Sequence, residues 1–130
     1  MSVSADELAI RRLLEAYADA VFRRDAEAWG VLWDEDAVWR LLGQEVRGRA
    51  AIVAAWSEAM RAFPVAAFFV QPGPLEIAGD AAQGRSYTNE VLRTADGAVR
   101  RVVGRYEDRF VRRGAGWLFA ARSFSILMEH

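Results

Sequence analysis

The sequence predicts an α+β domain in which helices come first and a meander of antiparallel strands follows. Three observations carry that reading. From Leu8 to Phe22 apolar side chains recur at helical spacing, whereas from Val65 onward the period shifts to that of strands set between turn dipeptides. The two patterns are segregated along the chain, which favours an antiparallel sheet over βαβ units. With 130 residues, 53% of them hydrophobic, there is enough for one core and little for a second, so residues 1–130 are read as one domain.

Ser4 is a candidate N-cap, and Glu7 three residues later completes a capping-box pattern. Leu8, Ile10, Leu13, Leu14, Tyr17, Val21 and Phe22 then mark one face of a helix ending near Arg24. Asp25 caps a short second helix carrying Trp29, Leu32 and Trp33. A strand is expected over Ala37 to Leu42, with turns at Gly43 and Gly48. A third helix runs from about Arg49 to Phe63, striped by Ile52, Val53, Trp56, Ala59 and Met60, and Pro64 stops it. Val65 to Val70 is an apolar strand, and Pro72-Gly73-Pro74 predicts a kink, a bulge or an edge position. Hairpin turns at Gly79-Asp80, Asp96-Gly97 and Gly114 to Gly116 separate Ala82–Arg93, Val99–Arg112 and Trp117–Leu127. Long antiparallel strands curled over a few helices leave a hollow between the layers, where a ligand would sit.

Composition narrows the chemistry. All 17 basic residues are arginine, so a lysine Schiff base is excluded, and the absence of cysteine excludes thiolate nucleophiles and thiolate metal sites. His130 is the one imidazole, so no histidine metal site is expected and no metal or cofactor is assigned. Formal net charge is −1, and the arginine pairs lie on different elements beside acidic neighbours, which argues against nucleic acid. Met1 to Asp6 lacks the start of a signal peptide and no apolar run has membrane-spanning length, so a cytoplasmic protein without membrane contact is expected.

Strand alternation places Val102, Gly104, Tyr106, Asp108 and Phe110 on the inner face of their strand. Arg101, Arg105, Glu107 and Arg109 fall on the outer face. If two-residue parity carries through the last turn, Leu118, Ala120, Arg122, Phe124 and Ile126 share the inner face. Asp108 and Arg122 are then two charges on an apolar surface. Either they form a buried pair that fixes register, or Asp108 is a pocket acid or base held by Arg122.

Several stretches together resemble SnoaL-like proteins of the nuclear transport factor 2-like superfamily. They are Ile10 to Ala18, Trp29 to Trp39, Gly48 to Ile52, Gly79 to Ala82, and Gly104 to Arg112 followed by Gly116-Trp117. The resemblance implies a cone-shaped, strongly curved antiparallel β-sheet wrapped around three N-terminal helices, with an internal pocket. Relatives include ketosteroid isomerases, scytalone dehydratase-like enzymes and polyketide cyclases. It also implies an Asp near the end of the first helix and a His opening the strand after the third. Here Phe22 stands at the first position and Phe68 or Phe69 at the second, so the carboxylate–imidazole shuttle is absent.

Three functional readings follow. One is a lyase, isomerase or cyclase that uses Asp108 as base with Tyr106 stabilising an oxyanion, and Tyr17, Trp39 and Asn89 as further polar handles. Another is a non-catalytic binding or accessory domain whose aromatic cavity holds a small apolar or aromatic molecule; with Tyr17, Trp39 and Asn89, its pocket residues are Phe22, Trp56, Phe68 and Arg122. The third is an interaction module: the alternating charges of the outer sheet face are self-complementary across a two-fold axis, which suggests a homodimer.

Overall fold

In the computed structural model, which describes residues 4–114 and 116–130, Ser4 opens the first helix, α1 (Ala5–Arg23). Its hydroxyl accepts the Glu7 backbone N–H at 3.0 Å, while the Glu7 carboxylate turns along the helix to Arg11. Asp6 in the first turn ties α1 to the end of the sheet, accepting from Arg112 Nη1 at 2.6 Å and from Trp117 Nε1 at 2.9 Å. At the other end Arg24 takes a left-handed conformation, and its side chain caps the C-terminal end of the third helix from outside. Its guanidinium donates to the Met60 and Phe63 carbonyls at 2.7 Å each.

Asp25 caps α2 (Ala26–Gly30), as its side chain accepts the Ala28 N–H at 2.9 Å. The helix is shorter than its apolar spacing predicts. Trp33 belongs instead to the first strand, β1 (Trp33–Leu41), because the backbone from Leu32 onward is drawn into pairing with the last strand. β2 (Gln44–Arg47) folds back on β1, and α3 (Arg49–Met60) follows. The remaining strands are β3 (Val65–Ala78), β4 (Ala81–Arg93), β5 (Val99–Arg113) and β6 (Gly116–Glu129). The middle of the last predicted turn, Ala115, and the first three residues of the predicted N-terminal segment lie outside the described residues.

The six strands form one curved, unclosed sheet in the order β2-β1-β6-β5-β4-β3. All neighbours are antiparallel except β1 and β6, which run parallel. After β2 the chain passes through α3 to the far edge, and the β3–β6 meander walks back until β6 reaches β1 in the same direction. The Pro72 to Pro74 interruption is a register shift within β3, which is also the edge strand. Gly73 there lies so close to β4 that an added Cβ would sit 2.6 Å from the Arg85 carbonyl oxygen.

Tyr17 of α1 locks helix to sheet, with its ring 5.3 Å from that of Phe68 and 5.5 Å from that of Phe119. Trp29 of α2 stacks on Trp56 at 4.6 Å and so anchors α3 beside α2. On β5 the inner set is as the alternation predicts: Val102, Gly104, Tyr106, Asp108 and Phe110 are all buried. On β6 the parity expectation needs correction. Trp117 and Phe119 face the core, not Leu118 and Ala120, because a bulge pairs Phe110 with Phe119 but Arg109 with Ala121. The extra residue, Ala120, shifts the phase and returns Arg122 and Phe124 to the inner face. No helix among the described residues is long and apolar enough to cross a membrane.

Candidate active site

The inner face of the sheet is polar at two levels. At the first, β5 and β6 place Asp108 directly opposite Arg122. Arg122 Nε donates to Asp108 Oδ1 at 2.7 Å and Nη2 to Oδ2 at 3.2 Å, and both side chains are 1% exposed. Ser86 of β4 joins them: its hydroxyl accepts from Arg122 Nη2 at 3.3 Å and donates to Asp108 Oδ2 at 3.4 Å. Burial pushes the Asp108 carboxyl above the ordinary aspartate value, and the Arg122 charge pulls it back. Burial works against the Arg122 charge as well, but Asp108 outweighs it and the arginine keeps its proton.

Rings enclose the guanidinium. Its carbon lies 3.7 Å from the Tyr106 ring centre and 4.5 Å from those of Tyr17 and Phe119. Nη1 has no hydrogen-bond partner among the described residues. Of the two arrangements the alternation allows for Asp108, the geometry has the closed ion pair, and Asp108 and Arg122 do not line the main apolar cavity.

At the second level that cavity, of about 190 Å³, opens between the sheet and α1 and α3. Tyr17, Phe68 and Tyr106 form its floor, Trp39 and Trp56 one wall, and Leu42, Arg100 and Ile126 its exposed rim. Gly104 makes this packing possible, since a Cβ there would collide with the Phe124 ring. Among the described residues, one carboxyl group reaches the cavity, that of Glu90 on β4, between Phe68 on β3 and Val102 on β5. Burial raises its pKa to about 7, against the opposing pull of Arg122. Burial also raises both phenols, Tyr106 more than Tyr17, with Arg122 opposing in each case.

The candidates from the sequence thus separate. Tyr17, Trp39, Trp56, Phe68 and Tyr106 come together at the cavity. Asn89 does not reach it, being exposed on the opposite face of β4, because the neighbouring Glu90 takes the inward position. Phe22 is 47% exposed and packs edge-on against Phe69 at 5.3 Å, beside the β3 edge and outside the cavity. Sequence alternation does not single out Glu90. β4 carries polar residues on both faces, so its hydropathy does not reveal its phase; the pairing of Glu90 with Val102 does.

A larger, open groove of about 550 Å³ crosses the outer face of the sheet, where Arg40, Arg85, Arg105 and Arg109 mix with Glu76, Glu107 and two serines. It is solvated and mixed in charge, so it provides no desolvated reaction site.

A family model described as a SnoaL-like domain matches residues 2–123. Comparison with curated proteins gives no match. Among solved structures, a candidate scytalone dehydratase from Novosphingobium aromaticivorans superposes with a TM-score of 0.89 at 19% identity, over 95% of this chain and 85% of that one. A hexachlorocyclohexane dehydrochlorinase gives 0.88 at 16% identity, over 97% and 88% of the two chains. A candidate aromatic ring hydroxylase from N. aromaticivorans gives 0.86 at 28% identity, over 98% and 93%. The first two likenesses are likenesses of fold.

Proposed function

Because this chain belongs to the SnoaL-like domain family, and because among the described residues its apolar cavity holds a single carboxyl group, we propose that it binds a small apolar or aromatic molecule there and transfers a proton on it through Glu90. The observation that carries the reading is Glu90 itself. Half-buried between Phe68 and Val102, its carboxyl group has a pKa raised by desolvation to about 7, the range where a general acid or base is most effective. The phenols of Tyr17 and Tyr106 sit on the cavity floor, with their rings against the Arg122 cation. They are the donors available to an oxyanion forming on a ligand carbonyl. The reaction class is proton abstraction next to a carbonyl, the opening step of an isomerisation or elimination.

An enolisable bicyclic ketone such as 2-tetralone tests this. In deuterated buffer the protein is expected to accelerate α-hydrogen exchange, followed by NMR, with a rate that climbs as pH rises through about 7. Glu90→Gln should lower that rate by about 10²–10⁴-fold. Tight binding of the ketone without exchange would remove the catalytic reading. It would select the alternative of a non-catalytic binding domain, which Phe at both expected acid–base positions, Phe22 at one and Phe68 or Phe69 at the other, already supports.

A homodimer through the outer sheet face is proposed as well. Arg85 and Glu107 face each other across β4 and β5 at 3.8 Å, with Arg105 and Arg109 flanking, so a two-fold axis can set opposite charges against each other. Light scattering at high micromolar concentration is expected to give twice the chain mass and to fall towards the monomer in high salt. A monomer at low salt would exclude this dimer.

A further inference from the structure

The rim of the cavity holds a cation that the proton-transfer reading does not use. Arg100, opposite Leu92 at the β4–β5 pairing, lines the opening together with Leu42 and Ile126, both exposed apolar residues. Its guanidinium is held by the carboxylate of Glu129 near the end of β6: Nε and Nη2 both donate to Glu129 Oε2, the first at 3.0 Å. Both side chains are more than a third exposed. Such a pair contributes little to stability and exchanges readily.

The arrangement is that of an amphiphile's site. An apolar chamber is bordered by an apolar lip, and one arginine at the lip already carries a carboxylate supplied by the protein. A cavity of about 150 Å³ accommodates benzene, so about 190 Å³ accommodates one substituted ring or a fused pair. We propose that the preferred ligand is a small aromatic or alicyclic carboxylate. Its ring fills the chamber and its carboxylate displaces Glu129 from Arg100. Glu129 is then an internal competitor that sets the affinity, and Arg100 is the residue that sets specificity. A neutral Glu90 inside the chamber and an anion at the lip are electrostatically compatible. This inference rests on the cavity being the ligand site, but not on any turnover there.

The test compares 2-naphthoate with 2-naphthamide, which differ in charge and hardly in shape, by isothermal titration calorimetry at pH 6. The wild-type protein is expected to bind the acid about fivefold more tightly than the amide, the preference that an exposed charge-assisted contact supports. Glu129→Gln should tighten naphthoate binding by a further factor of about five and leave the amide unchanged. Arg100→Gln should erase the preference, again without effect on the amide. Equal affinities for acid and amide in Glu129→Gln would overturn the carboxylate site while leaving the apolar chamber in place. If neither compound bound, the chamber itself would be refuted as a ligand site. Exchange of 2-tetralone in either rim variant then reports on Glu90 separately.

Discussion

Asp108→Asn is expected to lower the unfolding free energy by about 3–5 kcal/mol, the cost of stranding a buried cation. Arg122 is fully buried, held on two edges by Asp108 and Ser86, and boxed in by three rings, so it cannot swing to solvent when its partner loses its charge. For a domain of this size the thermal midpoint should drop by roughly 10–20 °C. Replacing both partners by apolar residues of similar volume, as in Asp108→Leu with Arg122→Met, should recover most of the loss, since desolvation cancels much of the attraction in a buried pair. Urea titrations of the three proteins measure this. An Asp108→Asn variant as stable as the wild type would mean that the pair is not closed in solution, and would return Asp108 to candidacy as a pocket acid.

That pair was legible in the sequence, and Glu90 was not, for one physical reason. Alternation fixes the phase of a strand only where one face is apolar and the other charged. β5 meets that condition, with Tyr106 and Phe110 inward and Arg105, Glu107 and Arg109 outward. In β4 the inward series Ser86, Thr88, Glu90 is as polar as the outward series Arg85, Tyr87, Asn89, so the phase is set by pairing with β5 and not by composition. The bulge at Ala120 is invisible for a related reason, as small and apolar residues fit either face. Trp29, Leu32 and Trp33 follow helical spacing although only Trp29 is helical, which shows how three residues can mimic a period that two elements share. Both predicted caps are legible because capping depends on one side chain and its own backbone neighbours: Ser4 and Asp25 each accept the N–H three residues on.

Glu90→Gln is expected to change how stability depends on pH. The folded-state pKa of Glu90 lies at about 7, raised from 4.5 by burial, so the native state binds the proton more tightly than the unfolded chain does. The sign follows from linkage: this contribution is fully present below about pH 4.5 and is lost as pH rises towards and through about 7. In the wild type the loss amounts to at most about 3 kcal/mol, less to the extent that water reaches the carboxyl group. The glutamine variant has no proton to release there. Its stability should stay flatter between pH 5 and 8 and exceed that of the wild type at pH 8. Denaturant midpoints at four pH values across that range decide the matter. If both proteins show the same slope, Glu90 is solvated and cannot serve as the proton-transfer group of an apolar site.

The parallel contact between β1 and β6 has a kinetic consequence. Trp33 and Phe119, or Val38 and Ala121, are separated by most of the chain, so joining them closes a long loop before any contact offsets the lost entropy. The β3–β6 meander is built from local hairpins and can form earlier, leaving β1 and β2 as the last rim to be added. Trp39 and Leu41, which wall the cavity, arrive with that rim. A ligand that touches both Trp39 and Phe68 therefore binds only the completed sheet. By mass action it slows the release of β1 and protects the N-terminal edge from opening.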